Sequence, residues 1–134
     1  FEAAETLGGQ LNLARRIPSK SEFGEMIRAF STRMAEAGVT VRLGTRATVA
    51  GLKAGGFDEI VIAAGVEPRR PAIPGIDRPD VVSYADVIMG RVKAGKTVAI
   101  IGSGGIGFDV AEFLSAGDAP DGSWPVRISA PRRC

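Results

Sequence analysis

The 134-residue chain reads as an α/β protein, on three observations. Thr97–Ile101 is an apolar run of the kind found in strands buried on both faces, and it leads through a glycine cluster into a helical pattern. Between residues 22 and 37, Phe23, Met26, Ile27, Phe30 and Met34 recur at helical spacing and make one apolar stripe. Short extended stretches alternate with these helices, separated by glycines and prolines.

Along the chain, residues 3–18 read as irregular, punctuated by Gly8, Gly9 and Pro18. Ser19 precedes Glu22 at capping-box spacing, so a helix is expected from about Glu22 to Ala37, stopped by Gly38. Val39–Leu43 alternates as a strand does, and Thr45–Val49 reads as a second short strand. Gly51–Gly56 is a turn region, and Phe57–Ala63 a mostly apolar strand. Residues 66–80 hold four prolines and form an extended connector. A short helix is expected at Tyr84–Met89. A longer one is expected at Gly105–Ala116, with Ile106, Val110, Phe113 and Leu114 inward.

Composition narrows the chemistry. The formal net charge of +2 demands neither nucleic acid nor an anionic membrane. There is no histidine, so the chain itself supplies no imidazole base or ligand. The single cysteine, Cys134, excludes an intrachain disulfide and a four-cysteine iron–sulfur site built from this chain alone. No apolar run approaches the roughly 18 residues of a membrane span, and the composition suits a reducing cytoplasm.

The sharpest motif is Gly102-x-Gly104-x-x-Gly107, placed between the apolar run and the amphipathic helix. In a dinucleotide-binding turn the first glycine permits the tight bend. The second lets the backbone approach a pyrophosphate, and the third lets helix and strand pack closely. The helix N-terminus then offers amide groups to the phosphates. A ribose-binding acid is expected roughly 20 residues later. Val126–Ser129 could be that strand, but Arg132 and Arg133 follow it, which leans toward the 2′-phosphate of NADP. Phe1-Glu2 looks like the end of a strand where a ribose-binding acid would sit, and its own glycine turn would lie upstream.

In order, several segments resemble one family. They are Phe1–Ala14 followed by Ile17-Pro18; Ala63–Arg69; Ile73–Asp77; Val82–Val87; and Ile101–Ala111, with the run from Gly104 through Phe108-Asp109-Val110-Ala111 the most specific. Together they resemble the C-terminal flavin and pyridine-nucleotide region of bacterial NADPH-dependent 2,4-dienoyl-CoA reductases, of the Old Yellow Enzyme/trimethylamine dehydrogenase group. The resemblance covers residues 1–117, and 118–134 form a divergent tail.

The resemblance implies a partial FAD/NAD(P)-binding, two-dinucleotide Rossmann-like fold. Residues 1–80 would be a partial FAD domain and 81–117 the start of an NADPH domain. Glu2 would match the FAD ribose acid. Gly8, Gly9 and Gln10 would match the loop along FAD, and Val49 a backbone contact to adenine. Ala64 and Gly65 would match the return strand, where Ala64 replaces the usual hydroxyl residue. Gly102, Gly104, Gly105, Ile106 and Gly107 would match the NADPH phosphate turn. In such enzymes a barrel carrying FMN and a 4Fe-4S cluster precedes this region, and those sites are absent from these residues. The chain is therefore expected to be a fragment that does not turn over substrate alone, with the barrel portion as its partner. Two other readings stay open: a non-catalytic NAD(P)-binding module, and a flavin reductase of another pyridine nucleotide-disulfide type.

Overall fold

A computed structural model describes residues 1–116. Among them are five helices: α1 (Leu11–Ala14), α2 (Glu22–Glu36), α3 (Val49–Ala54), α4 (Tyr84–Ile88) and α5 (Gly105–Ser115). No strand forms among the described residues, so the strands expected at 39–43, 45–49, 57–63 and 97–101 are not realised as such. A strand exists only through its ladder. Here Glu2 donates to the Arg42 carbonyl, and Glu2 and Ala4 accept from Thr45 and Gly44, which is too few bonds for a ladder. Val61 and Ile62, expected inside a sheet, are each 88% exposed.

The chain forms two compact units. One joins Phe1–Arg15 to Ser21–Glu67; the other joins Arg16–Lys20 to the residues from Pro68 onward.

In the first unit, α2 carries the expected stripe, but none of its residues is buried and Phe30 is exposed. Its N-cap is Ser21, with no side-chain cap bond, rather than the expected Ser19. Its C-terminus follows the sequence closely. Gly38 takes φ 70°, its amide donates to Ala35 and that of Val39 to Met34. This paired closure needs a left-handed residue that glycine adopts without strain. The helix α1 was not legible, because one turn is too short to show a period. The expected 45–49 strand gives way to α3, because the Thr48 Oγ1 accepts from the Gly51 amide and starts a helix there.

The second unit contains every buried residue of the described chain: Ile17, Val87, Ile88 and Val110. Residues 66–80 are non-helical, as their prolines require. Ser83 caps α4 by accepting from the Asp86 amide, and the Asp86 carboxylate accepts in return from the Ser83 hydroxyl. Helices α4 and α5 pack together. On α5 Val110 is buried and Phe113 and Leu114 half-buried, while Ile106, expected inward, is 53% exposed. Ile106 stands in the first turn, beyond the packed part of the helix. No helix among the described residues is long and apolar enough to cross a membrane.

Candidate functional site

The glycine turn is built as the spacing requires from Gly102 onward. Gly102 takes φ 112°, a conformation L side chains rarely adopt. Gly104 is the N-cap of α5 with extended backbone, φ −79° and ψ −178°, and as glycine it sends no side chain back to the first helical amides. Nothing lies within 4 Å of the Cβ position of Gly104 or Gly105. A Cβ on Gly107 would collide with the Gly102 carbonyl oxygen, and the Ile100 side chain lies 3.9 Å from the same position. Gly107 therefore lets the chain before the turn run close under the helix, although that stretch is not a strand.

The first amides of an α-helix have no partner within the helix and carry partial positive charge. Here no side chain caps them, and the Cβ positions of Gly104 and Gly105 are open. The arrangement fits a diphosphate: donors, no competing side chain, and room for a close approach. Ile106, with its side chain exposed, is the second residue of α5 and lies in the same turn. Arg132 and Arg133 lie outside the described residues.

The other candidates all lie in the first unit, with Ala64 and Gly65 near its far end in sequence. Gly8 and Gly9 both take positive φ, 117° and 46°. Gly8 is closely packed, with Ile27 and Asn12 where a side chain would stand, whereas Gly9 faces open space. The Gln10 side-chain Nε2 donates to the Val66 carbonyl at 3.0 Å, tying the Gly8–Gly9 loop to the segment just after Ala64-Gly65. Gly65 has φ 75° and open space around it. The structure thus brings Gln10 to the 64–66 segment across a wide sequence gap. Glu2 is held at its backbone by Arg42 and Thr45, and its Oε1 accepts from the Ala4 amide at 2.8 Å. Val49, 72% exposed, is the first residue of α3.

Two features escaped the sequence. The first is a cleft of about 330 Å³ in the first unit, lined by Phe1, Arg42, Thr45, Arg46 and Phe57 among others. The Arg42 guanidinium lies 5.2 Å above the Phe1 ring, and Phe1 meets Phe57 edge to face at 5.9 Å. No local pattern joins residues so far apart. The second is an ion pair, Lys20 Nζ to Asp109 Oδ1 at 2.6 Å, on the helix that opens at the glycine turn.

Known proteins resemble the chain over this same region. Residues 50–119 match the model of the pyridine nucleotide-disulphide oxidoreductase family. A metal reductase of Desulforamulus reducens is 32% identical over 119 residues, covering 86% of this chain and 18% of that protein. A bilirubin reductase of Mediterraneibacter gnavus is 36% identical over 115 residues, with the same coverage of both. Among solved structures, a 2-naphthoyl-CoA reductase in complex with 2-naphthoyl-CoA superposes with a TM-score of 0.80 at 34% identity, over 86% of this chain and 17% of that one. The chain thus spans under a fifth of the length of each of these proteins.

Proposed function

This chain belongs to the pyridine nucleotide-disulphide oxidoreductase family, whose FAD/NAD(P)-binding domain has a Rossmann-type fold, and we propose that it handles the dinucleotides in an NADPH-dependent 2,4-dienoyl-CoA reductase. Family membership carries flavin and NAD(P)H binding and oxidoreductase chemistry. The proposal adds the residues, the pyridine nucleotide and the substrate.

The observation that carries it is the Gly102–Gly107 turn: a left-handed Gly102, a bare Gly104 N-cap and a Gly107 too close to Gly102 for any side chain. In this reading Gly102, Gly104, Gly105, Ile106 and Gly107 hold the NADPH pyrophosphate. Glu2, Gly8, Gly9, Gln10, Val49, Ala64 and Gly65 lie along FAD, within residues 1–80, and residues 81–117 open the NADPH domain. FAD held by these residues would supply the acceptor for a hydride from NADPH. This chain's own residues bind and orient the two dinucleotides.

Reduction of the dienoyl-CoA then belongs to a barrel portion of the same enzyme, with FMN and a 4Fe-4S cluster. The substrate assignment is supported by the structural neighbour, a reductase in complex with the conjugated acyl-CoA thioester 2-naphthoyl-CoA. The relatives include a metal reductase and a bilirubin reductase, consistent with substrate choice outside the shared region. The setting proposed is the cytoplasm.

The test is a fluorescence titration of the 134-residue chain with NADPH and NADH, with a flavin absorbance spectrum alongside. NADPH binding that exceeds NADH binding, with FAD retained and no dienoyl-CoA turnover by the chain alone, is expected. No affinity for either pyridine nucleotide overturns the reading. NADPH binding with no affinity for FAD favours a non-catalytic NAD(P)-binding module.

A further inference from the structure

We propose that Lys20 is a positioning residue for the dinucleotide pyrophosphate, acting by neutralising Asp109 on the phosphate-binding helix; this rests on the dinucleotide reading of the glycine turn. Lys20 comes from a short segment, Arg16–Lys20, that belongs to the second unit although the residues on either side belong to the first. The segment is anchored there. Ile17 is 1% exposed, and the Lys20 amide donates to the Ile17 carbonyl at 2.9 Å, closing a turn. From that turn the ammonium reaches Asp109 Oδ1 at 2.6 Å, with both side chains about two-thirds or more covered.

Asp109 stands four residues after Gly105, the first residue of α5. At 1.5 Å per residue that is about 6 Å along the axis. Helical side chains lean toward the N-terminus, so the carboxylate tilts toward the phosphate end. A carboxylate there suits the helix dipole but opposes a dianionic pyrophosphate. Lys20 removes that conflict. It leaves Asp109 in place on the helix and cancels its charge before the phosphates arrive. The partial burial of the pair makes the charge balance matter more than on an open surface.

The test is NADPH titration of the full 134-residue chain and the variants Lys20→Met, Lys20→Arg, Asp109→Asn and the double variant Lys20→Met/Asp109→Asn, at low and high salt. One unneutralised carboxylate at this range weakens binding about fivefold in Lys20→Met at low salt. Lys20→Arg restores it, and the double variant recovers to within about twofold, since no charge is then left to repel the phosphates. High salt narrows the gap. Unchanged affinity in Lys20→Met overturns the proposal, as does a double variant weaker than Lys20→Met. Loss of the helical circular-dichroism signal in Lys20→Met also overturns it, since the pair is then a structural clasp. Absence of NADPH binding by the unaltered chain fails the dinucleotide reading itself, and this proposal with it.

Discussion

Gly107 lies so close to the carbonyl oxygen of Gly102 that a Cβ at Gly107 would overlap it. The obstacle is backbone and cannot swing aside. Gly107→Ala is therefore expected to push the start of α5 away from the turn, at a cost of about 1–3 kcal/mol. A urea melt checks the cost, and NADPH titration checks that binding falls with it. A variant as stable as the parent would show that the close approach is not needed.

Gly104→Ser separates folding from binding. Gly104 already has the backbone of an N-cap, and its surroundings are open. Serine caps better than glycine by a few tenths of a kcal/mol, about the gain expected in a melt. Its hydroxyl would also occupy the amides meant for phosphate, so NADPH affinity is expected to fall by roughly tenfold, the worth of one charge-assisted hydrogen bond. Tighter or equal NADPH binding would remove the phosphate from this helix end.

The glycine turn was legible because every part of it is local: φ, capping and close approach are set within six residues of sequence. The same holds for the Gly38 closure of α2 and the Ser83 start of α4. The strands were not legible as they stand, because an apolar run such as Val61–Ile62 states what a residue would prefer to bury, not whether a neighbour is there to bury it. The Lys20–Asp109 and Gln10–Val66 bonds were invisible for the opposite reason. Each joins distant residues, and neither partner has a neighbour in sequence that signals it.

The start of α4 is expected to be acid-sensitive. The Asp86 carboxyl is held below the ordinary aspartate range, first by the Ser83 hydroxyl and then by Arg91. A carboxyl lowered in the folded state stabilises it above the unfolded value, about 3.9, and that contribution fades as pH falls through the lower folded value. Amide protection in Tyr84–Ile88, taken relative to the intrinsic exchange rate at each pH, should therefore fall only below about pH 4. Asp86→Asn should flatten that response. A fall in protection beginning near neutral pH would point to another group.

Ile17 anchors the segment that carries Lys20, at 1% exposure. Ile17→Ala is expected to cost about 2–5 kcal/mol, a large share of the stability of a unit with so few buried residues. Denaturation followed by amide exchange in α5 checks it. An unaltered melt would show that the segment is not packed as described.

Apolar side chains including Val61, Ile62, Val66 and Phe108 are two-thirds or more exposed. The isolated chain is therefore expected to bind the dye ANS and to self-associate as its concentration rises. Sedimentation and dye fluorescence read this. A monomer that ignores the dye would mean these side chains are covered in solution.

The decisive measurement is amide NMR of the chain during an NADPH titration. Shifts concentrated at Gly102 through Phe108, saturating with NADPH and reproduced by the adenosine diphosphate portion alone, are expected if the helix amides hold the pyrophosphate. Saturable NADPH binding that leaves those amides unmoved, with shifts elsewhere in the chain, would contradict it.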